Sequence, residues 1–312
     1  MFLNDLFLIF VAPFLACVVL IKVFIKFSEK TGMFFDVADA DKLKIHTRNI
    51  SILGGLAIIF SALATQLFYL ASFDAWGYIS GLLIIFLILF FDDIKWKHNS
   101  NAQPLLKALL LLVGAILSAV FLFFSGISFQ FIPIPALAIF FSFITIFLFI
   151  NSINYQDGID GLAGSMVFIS LVGFLALSMF SGNHWGLAIS GSALSAVLAF
   201  LVFNFPPAKI FMGDSGAYSL GFILAVLALL FLRQYNISSL AAVFLIGGMP
   251  LFDGIYSNLR RIFSGKSLVA GDRSHFYDKM IERGFSVKKT LLISAVLQAL
   301  FVVAGIIIFV YA

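Results

Sequence analysis

Charge is what this chain has least of. Of its 312 residues, only 11% are Asp, Glu, Lys or Arg, against about 25% in a soluble domain. So few charges cannot cover a water-facing surface, which excludes an ordinary soluble protein. Cysteine is nearly absent as well. The lone Cys17 lies inside an apolar run, so no intrachain disulfide can form, and it reads as a small buried or lipid-facing residue. No soluble domain, low-complexity tract or clear repeat breaks the chain. The first apolar run, Phe7 to Ile25, lacks a basic segment before it and a convincing small-residue cleavage site. It is expected to be a first transmembrane helix and not a removed signal peptide.

What is present is apolar. Hydrophobic residues make up 62% of the chain and Phe alone numbers 40, as lipid-facing helices tolerate. A membrane helix needs about 20 mainly apolar residues. By that measure about ten spans are expected, at 5–26, 50–72, 76–91, 104–125, 133–150, 162–180, 185–203, 215–232, 238–257 and 290–311. The fold class is an all-α polytopic membrane protein, one domain over 1–312. The third span is short for a full crossing. The ninth holds Gly247-Gly248, Pro250 and Asp253, so it is expected to be kinked, broken or extended beyond the membrane.

Ten spans put the loops on alternating sides. Side one receives 27–49, 92–103, 151–161, 204–214 and 258–289; side two receives both termini and the short remaining loops. Of 19 Lys and Arg, only Arg233 falls on side two, so the positive-inside rule makes side one cytoplasmic and puts both termini outside. Of 15 acids, only Asp5 and Asp74 fall on side two. The others gather at side-one helix ends.

Those ends carry the motifs. Asp92-Asp93, followed by Ile94-Lys95, closes the third span. Two carboxylates there are costly in lipid, about 2.5–3.5 kcal/mol each; they suit an aqueous or cation-lined cleft, or simply stop a helix. Asn151-Ser-Ile-Asn154-Tyr-Gln-Asp157-Gly158-Ile-Asp160-Gly161 concentrates amides, carboxylates and glycines. That density of oxygen donors suits a hard cation such as Mg²⁺ with substrate phosphate, while one Asp could serve as a helix cap. Asn204-Phe-Pro-Pro-Ala-Lys209-Ile-Phe-Met-Gly213-Asp214-Ser215-Gly216 ends one helix at its prolines and opens the next, with Asp214 and Ser215 placed as caps. The loop 258–289 is basic. Within it Gly271-Asp272-Arg273-Ser274-His275 offers an Arg and a His that could bind a diphosphate, although such loops also contact anionic lipid. Asp41, Lys44 and His46, ahead of Gly54-Gly55, read as an orienting loop.

The order DD, NxxNxxDGxDGLA, NxxPAxxFMGDxG and a basic loop with DRxH resembles the polyprenyl-phosphate N-acetylhexosamine-1-phosphate transferases (glycosyltransferase family 4). The match runs from about Asp39 to Arg283. The resemblance implies a UDP-N-acetylhexosamine donor, a polyprenyl phosphate acceptor (normally undecaprenyl phosphate), Mg²⁺ as cofactor, and polyprenyl-diphosphate-sugar and UMP as products. It makes Asp92 and Asp93 the family's first acidic pair, with Asp92 as base, positioning group or nucleophile. It assigns Mg²⁺ to Asn154 and Asp214, and the nucleotide-side acidic loop to Asn151, Asp157 and Asp160, the two Asp being counted as catalytic. Lys95 and Lys107 correspond to phosphate-contacting bases, and Asn204, Arg273 and His275 are expected to bind substrate. Asp253 matches an acidic position of the ninth helix. A homodimer rests on the resemblance alone, the bilayer is the surrounding partner, and no nucleic acid is expected.

The chain departs from the family in what it lacks. The last motif usually holds several His and here has only His275, which disfavours phospho-MurNAc-pentapeptide translocase activity. It favours the branches that start lipopolysaccharide, capsule or teichoic-type glycans. Prolines usual between His46 and Gly54 are also missing. A CDP-alcohol phosphotransferase lacks support, because no Arg follows Asp157-Gly158 at the needed spacing. A cation-coupled transporter would place its ionisable groups near the midplane, where this chain has almost none.

Overall fold

The computed structural model describes residues 5, 7–36, 49–69, 75–95, 104–234, 236–265 and 275–311. Within them the chain is an all-α polytopic membrane protein. Helix α1 (Phe7–Thr31) opens with a π-helical turn over Phe7–Val11, and it ends at Gly32, whose left-handed φ of 69° lets its N–H return to the Ser28 carbonyl. The two-residue strands β1 (Phe35–Asp36) and β2 (Ile50–Ser51) pair antiparallel. Then come α2 (Gly54–Tyr69), α3 (Trp76–Lys95), α4 (Pro104–Phe124), α5 (Pro135–Tyr155), α6 (Leu162–Ser181), α7 (His184–Asn204), α8 (Gly213–Phe231), α9 (Ile237–Phe263), the short α10 (Phe276–Glu282) and α11 (Val287–Tyr311).

Among the described residues, nine helices are long and apolar enough to cross a membrane, and α2 is an apolar helix of 16 residues. The short member is therefore the second and not the third. Helix α3 continues through Asp92, Asp93 and Lys95 to reach 20 residues. A charge ends an apolar run, but it does not break the backbone ladder.

Helix α8 is the central post. Every residue from Ser215 to Phe231 is buried, as expected of a helix apolar all round. It packs against α2, α3 and α5. Small residues set the closest approaches. A Cβ on Gly55 would stand 2.3 Å from the Gly216 Cα, and one on Gly221 would stand 2.6 Å from the Ile150 Cα, which is the small-residue contact that membrane helices use. Polar side chains then tie helices together without water: Tyr78 Oη donates to Gln66 Oε1 (2.7 Å), and Gln66 Nε2 donates to Ser192 Oγ (3.0 Å).

Helix α9 is broken as its Gly-Pro content implied. Gly248 adopts φ 43°, ψ −132°, two residues before Pro250. In a bilayer the backbone groups released by such a break need internal partners. Gln298 of α11 supplies them, accepting from Met249 N (2.8 Å) and donating to the Ile246 carbonyl (2.9 Å) and Ser170 Oγ (2.9 Å).

Candidate active site

The alternation of loops expected from sequence gathers the ends of α3, α5, α7 and α9 with the starts of α4 and α8. Their side chains form one polar layer. At its centre is Lys107, in the first turns of α4. Its Nζ is 2.6 Å from Asp92 Oδ2 and also contacts Asp214 Oδ2. The side chains of Lys107, Asp92 and Asp214 are 22%, 10% and 20% exposed, so this ion triad is sheltered yet open on one side. The Tyr218 ring lies beneath, 5.7 Å from the ammonium.

Asp93 points elsewhere. Its Oδ1 accepts from Asp214 N (3.1 Å) and its Oδ2 from Ser215 N (2.9 Å). It is a fully buried cap on α8, supplied by a neighbouring helix. The cap expected from Asp214 or Ser215 themselves is not what forms: the residue preceding α8, Met212, makes no side-chain cap bond. The turn into α8 needs Gly213, at φ 72°, where a Cβ would also press on Asp93 Oδ2 at 3.0 Å. The loop before it is clamped by backbone bonds, Gly54 N to Phe211 O and Gly55 N to Met212 O, both 2.9 Å.

Two further residues are structural ties here. Asn204, expected to bind substrate, uses both ends of its amide on backbone: Oδ1 accepts from Gly161 N (3.0 Å) and Nδ2 donates to Ile210 O (2.8 Å). Asp160, expected to be catalytic, accepts from Ala208 N at 2.9 Å. Together they bind the 156–161 turn to the 205–212 loop.

The remaining expected residues occupy different settings. Asn154 is half-buried on the last turn of α5. Helices α5 and α8 approach closely where Ile150 meets Gly221, and Asn154 lies one helical turn further along α5. Asn151 donates to its own helix at Phe147 O (2.7 Å). Asp157 is exposed in the following turn. Lys95 is exposed and lies 4.7 Å from the Phe91 ring. Asp41, Lys44, His46 and Arg273 lie outside the described residues.

His275 is held more elaborately than its sequence suggested. Its Nδ1 is 3.0 Å from Asp253 Oδ2 and 3.2 Å from Ser257 Oγ. The other oxygen of Asp253 accepts from Phe276 N (3.0 Å), and Gln156 Nε2 donates to Oδ2 (3.1 Å). The imidazole lies between the rings of Tyr155 (4.9 Å, 26°) and Tyr277 (6.1 Å, 10°). Gly158 makes room, since a Cβ there would meet Tyr277 Oη at 1.9 Å. The Gln156, Ser257, Tyr155 and Tyr277 contributions were not read from sequence. The signal was present for Gln156, an amide inside a motif otherwise read for its Asn and Asp.

The two carboxylate oxygens converging on one cation are hard donors. Among the described residues no group of three or more His, Cys, Asp or Glu gathers. Any metal held here would therefore complete its shell with amide, water or substrate oxygens.

Several known proteins are similar to this chain. The family model described as "Glycosyl transferase family 4" matches residues 75–232, from the start of α3 to the end of α8. A Bacillus subtilis protein named as a probable undecaprenyl-phosphate N-acetylglucosaminyl 1-phosphate transferase is 28% identical, over 85% of this chain and 75% of its own length. Two phospho-N-acetylmuramoyl-pentapeptide-transferases are also similar. That of Streptococcus uberis is 31% identical over 61% of this chain and 62% of its own length; that of Streptococcus pneumoniae is 27% identical over 75% and 76%.

Proposed function

The chain belongs to glycosyl transferase family 4, and from that premise we propose that it transfers an N-acetylhexosamine-1-phosphate from a UDP-sugar to polyprenyl phosphate, starting an envelope glycan on the cytoplasmic face of the inner membrane. The observation that carries the reading is the triad of Asp92, Lys107 and Asp214, drawn from three helices to one partly open point.

The reaction joins two anions. An oxygen of the lipid phosphate forms a bond to the β-phosphorus of the UDP-sugar as the bond from that phosphorus to the UMP oxygen breaks. The phosphate monoester is mostly dianionic at pH 7, its second pKa being about 6, so it needs no strong base. Asp92 orients the acceptor through Lys107, whose ammonium offsets phosphate charge at the point of attack. Asp93 fixes the register of α8, and so the position of Asp214. Asp253 and the stacked tyrosines hold His275, which we assign to the donor side. Asp214 and Asn154 would hold Mg²⁺, which binds one or two carboxylates plus substrate phosphates. When bound, that ion neutralises the diphosphate and favours in-line displacement.

A second reading, transfer of phospho-MurNAc-pentapeptide, draws on the Streptococcus relatives. The single His275 speaks against it. One assay separates the two: purified protein, undecaprenyl phosphate, Mg²⁺ and a panel of UDP-sugars that includes the pentapeptide donor, reading UMP release and label entering lipid. We expect turnover with a UDP-N-acetylhexosamine, its loss in Asp214→Ala, and none with the pentapeptide donor. No product from any donor would reject the transfer. Normal Mg²⁺-dependent turnover in Asp214→Ala would reject the metal assignment.

A further inference from the structure

One cavity lies not at the carboxylate layer but at the opposite end of the bundle. Its volume is about 800 Å³, within the range of small-molecule sites, about 300–1,000 Å³. It opens where α4 and α8 end and α7 begins. Ser181, His184 and Arg233 give it a polar, cationic side; Phe124, Trp185 and Leu230 give it an apolar one.

The charge is placed and not scattered. Arg233 is the only Lys or Arg in the side-two segments of the sequence. Its guanidinium lies across Gly126: a Cβ there would stand 3.3 Å from Nη2. No carboxylate of the described residues is ion-paired with it, and Asp5, the described acid of that end, accepts from Tyr69 Oη at 2.9 Å. The start of α7, a 21-residue helix, also faces the cavity through His184 and Trp185, adding positive dipole. Several carbonyls at the C-terminal ends beside it are occupied. Those of Leu122 and Phe123 accept from Ile127 N and Gly126 N, and that of Ala228 from Leu232 N.

We propose that this cavity binds the phosphate headgroup of an anionic phospholipid from the leaflet on that side, opposite the transferase site. Arg forms bidentate bonds to phosphate, and Trp is the side chain that marks the membrane–water boundary. The volume far exceeds that of a phosphate group, and the apolar side fits the first acyl carbons. A free anion would leave that side uncovered.

The test uses full-length protein in phosphatidylcholine nanodiscs carrying Trp76→Phe and Trp96→Phe, so that Trp185 alone emits. Phosphatidylglycerol brominated on its acyl chains should half-quench Trp185 at about fivefold lower mole fraction than brominated phosphatidylcholine, the preference expected of one cation near a lipid phosphate. Arg233→Gln should remove that difference. His184→Glu, at an exposed position, should also remove it, because the added carboxylate offsets the charge of Arg233, and it serves as the test if Arg233→Gln does not fold. Equal quenching by both lipids, or a preference surviving in both variants, overturns the proposal. Inorganic phosphate abolishing the preference would reassign the cavity to a free anion and overturn it too.

Discussion

Replacing Lys107 with Met keeps the length of the side chain and removes its charge. In the folded protein both Asp92 Oδ2 and Asp214 Oδ2 contact that ammonium. They therefore sit within about 5 Å of each other, the span of two ordinary hydrogen bonds. At an effective dielectric of about 20, two unit charges about 5 Å apart repel by about 3 kcal/mol. With both side chains at most one-fifth exposed, water relieves only part of this. Lys107→Met should lower the thermal midpoint by several degrees in EDTA. The vacated pair is then a better cation site than in the native protein, because no ammonium competes for it. Mg²⁺ should raise the midpoint of the variant more than that of the parent, and half-saturate at lower concentration. Turnover should still fall by about 10²–10³, the usual loss when one group stabilising transition-state charge is removed. A differential scanning titration with Mg²⁺, beside the radiolabelled transfer assay, reads both effects. An equal Mg²⁺ response in the two proteins, with turnover within about threefold, would refute the idea that Lys107 and a divalent cation compete for Asp214.

Asp93→Ala removes the acceptor for the first N–H groups of α8 and should cost about 1–2 kcal/mol in thermal or denaturant unfolding; Asp93→Asn, which keeps one acceptor oxygen, should recover part of this, and equal stability of all three proteins would contradict the cap. Gln298→Leu deletes three hydrogen bonds at the α9 break, worth about 0.6 kcal/mol each in membrane interiors. A loss of about 2 kcal/mol is expected, with activity per folded molecule retained; an unchanged unfolding midpoint would mean that the break is satisfied in another way.

The bundle was legible because hydropathy alone decides what enters a bilayer. What hydropathy cannot see is where a helix starts inside an apolar run. The stretch 50–72 reads as one span, yet Ile50 and Ser51 pair with Asp36 and Phe35. Ser51 also bridges to Ile210. The helix waits until Gly54, whose N–H is already committed to Phe211. Those partners lie far off in sequence, and no local pattern announces them. The α9 break was legible from Gly248 and Pro250. Its repair by Gln298 was not read, although a lone Gln in an apolar helix is itself a sign of an interhelical partner.

The acidic motifs were legible in the sequence, but which neighbour each carboxylate reaches was not. Helix capping and chemistry stood as rival explanations for each acidic motif, judged one at a time along the chain. The fold shows that they need not compete. Successive residues of a helix point about 100° apart, so Asp92 and Asp93, identical in type and adjacent, reach different neighbours. Asp92 meets Lys107 of α4, and Asp93 meets the N-terminus of α8. The capping residue is the one that holds Asp214 where Lys107 can bridge it to Asp92. Asn204 and Asp160 stand in the same relation to the loops around them, spending their polar atoms on Gly161, Ile210 and Ala208. A motif dense in Asp and Asn at membrane helix ends thus contains both carboxylates that converge on Lys107 and groups that fix the loops and helix starts around them. Only the direction of each side chain, which sequence spacing leaves open until the neighbouring helices are known, tells one from the other.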